Sequence, residues 1–224
     1  MPTTLITGAN RGIGLALARE FTARGHSVIA TARDPGAADA LKATGASVYR
    51  LDVASGDEIA TLKAELGDTP VDILINNAGI EGALTPIGET DYDSFRKTLE
   101  VNTLGPVRMM ESFTANVAAS DLKKMVVMSS KMGSIHVTDA SWAMIYRVSK
   151  AGVNMAFRCA APALWQQGIT CLALHPGHVE TDMGGPGAPV QPADSARGLA
   201  SVILDAAPAG ELRFLDYLGQ TLPW

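Results

Sequence analysis

Two cysteines in 224 residues exclude a disulfide-stapled scaffold. No run approaches the ~18 consecutive apolar residues that would span a membrane, so no membrane partner is expected. Cationic residues are in deficit. Eighteen Lys and Arg against 23 Asp and Glu give a net charge of −5 and a pI near 5.3, which argues against nucleic acid as the main partner. The four histidines, His26, His136, His175 and His178, lack a metal spacing. His175 and His178 are three apart, but the intervening Pro-Gly forbids a helix and no Cys or acidic cluster accompanies them, so no metal is expected. Aromatic residues are only 5% of the chain, while glycine is abundant at 22. That balance suits tightly packed α/β layers better than an all-β fold.

No charged and then apolar leader precedes the first strand-like run, so a signal peptide is not expected and the cytoplasm is the default. Cys159 and Cys171 then stay reduced, and both read as small core residues. Met109, Met110, Met125 and Met128 read as core filling. At this length a single domain buries roughly 70% of the surface its unfolded chain exposes and needs no staple.

Short apolar, β-branched runs recur at Thr3–Thr7, Ser27–Ala32, Ser47–Leu51, Val71–Asn76, Lys124–Ser129, Ile169–His175 and Leu212–Asp216. Helical periodicity lies between them at Ile13–Arg24, Pro35–Ala43, Gly56–Leu66, Tyr92–Ala119, Ser141–Gln167 and Ala193–Ala206. Gly25, Gly45, Gly67 and Gly168 follow helical stretches and suit left-handed caps. Strands apolar on both faces, alternating with helices, predict a parallel sheet covered on both sides. The pattern runs without a composition break, so residues 1–224 read as one domain. The Gly- and Pro-rich stretch Met183–Gln191 reads as a mobile loop.

The first strand leads into Thr7-Gly8-Ala9-Asn10-Arg11-Gly12-Ile13-Gly14 and then a helix. Glycines let the backbone turn sharply and approach a pyrophosphate, and the helix N-terminus offers free N–H donors. Strand, glycine loop and helix in that order predict a dinucleotide site. Tyr146 and Lys150 are four apart on a predicted helix and share one face. A tyrosine alone is a weak acid of pKa about 10, and a neighbouring ammonium lowers that value. Such a pair suits proton donation to a carbonyl oxygen as hydride arrives on its carbon.

The spacing G-x-x-x-G-x-G resembles the cofactor motif of the short-chain dehydrogenase/reductase family. Further matches follow in the family's order: Asn76-Asn77-Ala78-Gly79, Asn102, Ser129-Ser130, Tyr146-x-x-x-Lys150 and Pro176-Gly177. Tyr146-Arg147-x-Ser149-Lys150, the run from His175 to Gly185, and Leu222-Pro223-Trp224 resemble a smaller branch, the sniffer-type carbonyl reductases and C-factor-like proteins. The resemblance implies a single doubly wound Rossmann domain with a seven-stranded parallel sheet in the order 3-2-1-4-5-6-7. It implies Tyr146 as general acid, Lys150 lowering its pKa and holding the nicotinamide ribose, Ser130 on the substrate carbonyl, and Asn102 holding a relay water. Ser130 stands further before Tyr146 than in many members, but the branch shares the longer gap; Ser129 and Ser134 are the competing serines.

The cofactor would be held by Gly8, Asn10, Arg11, Gly12, Ile13, Gly14, Asp52, Val53, Asn76, Ala78, Gly79, Pro176, Gly177, Val179 and Thr181, besides Tyr146 and Lys150. In NAD-binding relatives an acid ends strand two. Here that place holds Ala32, followed by Arg33, and a guanidinium suits a 2′-phosphate. Arg11 and Arg33 together predict NADP(H) over NAD(H). His136, Trp142, His178 and Met183 are candidate substrate contacts. Little sequence is left after Thr181 for a substrate-covering helix pair, which predicts an open pocket. The function implied is NADPH-dependent reduction of a small-molecule ketone or aldehyde. The alternative is a cofactor-binding signalling or sensor protein with little turnover. A homodimer is expected, with a tetramer as the variant.

Overall fold

The computed structural model describes residues 1–224. Seven strands, β1 (Thr3–Ile6), β2 (Ser27–Ala32), β3 (Ser47–Arg50), β4 (Ile73–Asn76), β5 (Lys124–Met128), β6 (Thr170–His175) and β7 (Arg213–Asp216), form one sheet. Every pairing is parallel and the order is β3-β2-β1-β4-β5-β6-β7. The helices are α1 (Gly12–Ala23), α2 (Asp39–Lys42), α3 (Gly56–Leu66), α4 (Tyr92–Leu99), α5 (Gly105–Ala118), α6 (Met144–Trp165) and α7 (Pro192–Asp205). This is the expected doubly wound fold.

Alternation along each strand divides the core in two. Leu5, Leu74, Met125, Val127 and Cys171 meet Met109, Phe113 and Phe157 on one face. Ile6, Ile75, Val126, Leu172 and Leu174 meet Leu17, Phe21, Leu199 and Ile203 on the other. The four methionines read as core filling are all buried, and so is Cys171. Cys159 is not a core residue: it lies on the exposed side of α6.

The stretch read as one helix from Tyr92 to Ala119 is interrupted by a π turn at Glu100–Leu104, where the Gly105 amide donates to the Glu100 carbonyl. Pro106 supplies the reason. It has no N–H to return to the carbonyl four residues back, that of Asn102, and the helix widens there. Asn102 is carried inward and buried. No helix is long and apolar enough to cross a membrane.

The segment read as a mobile loop is tied to the stretch that follows β6 and holds no helix before α7. The Val190 amide donates to His178 O at 3.1 Å, Glu180 N to Val190 O at 2.9 Å, and Gly185 N to Thr181 O at 2.9 Å.

Candidate active site

At the C-terminal ends of the strands a cleft of about 1770 Å³ collects the glycine loop, Arg33, Asp52, Val53, Ala78, Gly79, Ser130, Trp142, Tyr146, Lys150 and the segment from His175 to Gly184. Parallel strands with right-handed crossovers leave such a crevice where the strand order reverses, here beside β1 and β4.

Its floor requires glycine. Gly8 has φ of 64°, and a Cβ there would stand 2.9 Å from the Ala78 Cα; a Cβ on Gly14 would stand 2.5 Å from Gly8 O. The first turn of α1 lines the cleft, and its amides have no acceptor within the helix. Those donors, the absence of side chains beneath them and the volume of the cleft fit a dinucleotide.

Asn76 departs from expectation. It is buried, and its Nδ2 donates to Val126 O at 3.3 Å, so it braces the sheet and does not line the cleft. Its neighbour Asn77 does. The Asn77 Nδ2 donates to both Thr7 O and Gly8 O at 3.0 Å, holding the glycine loop in place.

At the adenosine end Arg33 is exposed on the cleft edge. Arg11 is paired with Asp182 at 2.7 Å across the mouth of the cleft, both side chains largely exposed. The neighbouring acid Asp34 also lines the cleft, its Oδ1 accepting from Gly36 N at 2.9 Å. Asp52 Oδ1 accepts from Ala54 N at 3.0 Å and closes the turn beside Val53.

The reactive end is built by α6 and the short turn after β5. Ser130 caps the 3₁₀ turn Lys131–Gly133, its hydroxyl accepting from Met132 N at 3.2 Å. Burial pushes Tyr146 up to about 12; the Ser130 hydroxyl near it favours the phenolate and works the other way, and the nearby Glu81 carboxylate adds to the rise. Lys150 is buried, and desolvation brings it down to about 8. Its Nζ donates to Met128 O at 2.7 Å and stands 5.6 Å from the Tyr146 ring centroid. Burial is the leading cause at both groups and acts in opposite directions, raising the tyrosine and lowering the lysine.

The competing serines have other tasks. Ser129 Oγ donates to the Asn154 Oδ1 at 2.6 Å inside the protein. Ser134 Oγ accepts from Val137 N at 3.4 Å. Asn102 stands behind the cleft, not in it: its Oδ1 accepts from Ile80 N at 2.9 Å, and its Nδ2 donates to Ile80 O at 2.8 Å and Ser149 Oγ at 2.9 Å. A Cβ on Gly79 would come within 3.3 Å of the Asn102 Oδ1 and 3.6 Å of the Lys150 Nζ.

Trp142, His178 and Met183 line the cleft as expected. His136 does not. It is exposed, and its backbone amide donates to the Trp224 carbonyl at 2.8 Å. Sequence reasoning passed over Val137, Asp139, Glu81, Lys97 and Arg19, all of which line the cleft. It also passed over Gly133, where a Cβ would be 2.8 Å from the Lys150 Cβ. A glycine between Ser130 and Tyr146 was the available signal for the last of these.

This arrangement defines a short-chain dehydrogenase/reductase, and the comparisons agree. Residues 2–189 match the short chain dehydrogenase family, and the chain belongs to that family of oxidoreductases. It is similar to C-signal of Myxococcus xanthus, 40% identical over 155 residues, covering 69% of this chain and 93% of that protein. Two solved structures superpose with a TM-score of 0.92. One is a short-chain dehydrogenase/reductase from Burkholderia multivorans with bound NADP, 32% identical, covering 100% of this chain and 99% of that one. The other is the carbonyl reductase Sniffer of D. melanogaster, 28% identical, covering 100% of both. The chain falls in the branch that holds the C-factor-like proteins and the carbonyl reductases.

Proposed function

We propose that this protein reduces a ketone or aldehyde to an alcohol with NADPH. The observation that carries the reading is the convergence of Ser130, Tyr146 and Lys150 at one end of a cleft whose other end is a side-chain-free glycine loop. NADPH, when bound, supplies the hydride. The chain's residues do the rest. Gly12, Ile13 and Gly14 offer amide donors to the diphosphate, and Asn10, Ala78 and Gly79 border it. Pro176, Gly177, Val179 and Thr181 line the nicotinamide end. Ser130 and Tyr146 hold the substrate oxygen. Tyr146, protonated throughout the neutral range, donates the proton as that oxygen gains charge. Lys150, a cation near neutral pH, holds the ribose and supports the phenolate that forms. Asn102, turned inward by the π turn, holds the Ile80 backbone beside Gly79 and the Ser149 hydroxyl on α6, and so braces the wall next to Lys150.

Arg33 gives the preference for NADP(H): it meets the 2′-phosphate next to Ala32, the place where an NAD-dependent relative would carry an acid. NADP in the Burkholderia multivorans structure supports this. Similarity to C-signal favours a second reading, a cofactor-binding signalling protein with little turnover. One assay separates them. NADPH consumption is followed against a broad carbonyl panel beside a Tyr146→Phe control. Turnover that vanishes in the control while NADPH binding persists is the expected result. Bound NADPH with no turnover on the whole panel defeats the enzymatic reading. We further propose a cytoplasmic homodimer that pairs through the outer faces of α5 and α6.

A further inference from the structure

We propose that Trp142 is a fixed recognition wall for a flat, apolar group beside the substrate carbonyl, and that Arg147 positions it. This inference rests on the carbonyl-reducing function proposed above. Trp142 is an exposed large aromatic residue, 55% accessible, on the lining of the cleft. An exposed indole normally samples several rotamers at the cost of ordering none of them. Three features of the backbone and its neighbours hold this one. The Arg147 Nε donates to the Trp142 carbonyl at 3.1 Å. The guanidinium of the same residue lies over the indole, its Cζ 5.4 Å from the ring centroid, an attractive position for a cation. Ala143, which joins Trp142 to α6, is in the left-handed region at φ 55° and ψ 35° while only 2% exposed. A residue with a Cβ enters that region at a cost, so the surrounding structure enforces it.

The result ties Trp142 to the reactive tyrosine. Arg147 follows Tyr146 directly on α6, and its amide donates to the Ala143 carbonyl at 3.0 Å. The wall and the proton donor therefore sit on one rigid unit. One indole face is covered by the guanidinium, which leaves the other face or the ring edge for a ligand. The cleft lining also includes the apolar Met132, Val137 and Met183. An aryl ketone or aldehyde, whose ring is flat and whose carbonyl lies in the ring plane, matches this wall better than a flexible acyclic one.

The test compares an aryl ketone with an acyclic aliphatic ketone of similar size at saturating NADPH. Trp142→Ala is expected to lower the aryl-to-aliphatic ratio of kcat/KM by about tenfold or more, chiefly through the aryl KM. Arg147→Met should move the ratio in the same direction by about threefold, and Arg147→Lys, which keeps a cation over the ring, should restore part of it. Ala143→Gly frees the linker and should act as Arg147→Met does. Aryl ketone added to the NADPH complex should quench indole emission in the wild type more than in Trp142→Phe, a binding readout that needs no turnover and survives failure of the alanine variant to fold. A ratio unchanged in Trp142→Ala, or equal quenching in the wild type and Trp142→Phe, overturns the wall. A ratio that falls in Trp142→Ala but is untouched in both Arg147→Met and Ala143→Gly overturns the positioning role. Quenching with no reduction of either ketone upholds the wall and defeats the proposed reaction instead.

Discussion

At Lys150 two requirements oppose each other. Proton transfer at Tyr146 asks for a cation beside it, and burial penalises that cation. With its pKa near 8 in the folded protein against a reference near 10.4 unfolded, the lysine costs on the order of 3 kcal/mol at neutral pH. The unfolded chain binds more protons between about pH 8 and 10.5, so this residue makes stability rise with pH across that window. Lys150→Met should therefore be inactive, at least as heat-stable as the wild type at pH 7, and without that rise. Thermal unfolding between pH 7 and 10 checks it; a destabilised variant with the rise intact refutes it. The same titration predicts kinetics: the reductive kcat/KM should fall above about pH 8 as Lys150 loses its proton, while Tyr146 keeps its own to about 12.

The two arginines divide at the same scale. Arg33 stands on the cleft edge, whereas Arg11 is engaged by Asp182 at 2.7 Å. Arg33→Ala should weaken NADPH binding by about tenfold or more and leave NADH nearly unchanged, since a charge-assisted hydrogen bond contributes about 1.5–3 kcal/mol. Titration calorimetry with both cofactors decides. Equal losses would show that Arg33 does not read the 2′-phosphate.

At the scale of elements, the contact between the 3₁₀ turn after β5 and α6 sets the distance between Ser130 and Tyr146. Gly133 makes that contact. A Cβ there would meet backbone as well as side chain, 2.8 Å from the Lys150 carbonyl carbon and 3.0 Å from its oxygen, and neither gives way cheaply. Gly133→Ala should destabilise the fold by about 1–3 kcal/mol and lower kcat more than it raises the KM for NADPH. Normal kcat in a folded Gly133→Ala protein would show that the spacing tolerates displacement.

Elements also show what was legible in the chain. Strands declared themselves because burial on both faces makes each a continuous apolar run, and helix ends because Gly25, Gly45, Gly67 and Gly168 all adopt positive φ. The π turn was hidden because the apolar periodicity continues through Glu100–Leu104; only the missing N–H of Pro106 marks it. Asn76 and Asn77 were exchanged because consecutive residues at a strand end point to opposite sides, and a motif does not say which one faces the cleft. Tyr146 and Lys150 were legible because their spacing is local, whereas Ser130 was singled out by the resemblance alone. His136 was not, because its place depends on the backbone of Trp224, 88 residues away in sequence, which no spacing rule encodes.

For the whole molecule, the outer surface of α6 carries a stripe at helical spacing: Val148 at 43% exposure, Gly152, Met155 at 61% and the exposed Cys159. Leu104, 41% exposed at the π turn, extends the apolar area toward α5. The opposite face of α6 is spent on the core through Val153 and Phe157, and Gly152 packs against Thr103, which leaves Val148, Met155 and Cys159 as the exposed part of the stripe. A twofold axis along this face would set the stripe of one copy against that of the other, and each substitution would then act twice. Met155→Glu would bring two carboxylates into such an interface without touching the cofactor cleft. Sedimentation at micromolar concentration should find the wild type as a dimer or tetramer and Met155→Glu as a smaller species. NADPH binding by calorimetry should stay within about twofold, a few tenths of a kcal/mol, because Met155 does not line the cleft. A wild type that sediments as a monomer, or a Met155→Glu protein that sediments as the wild type does, would remove this face from the assembly.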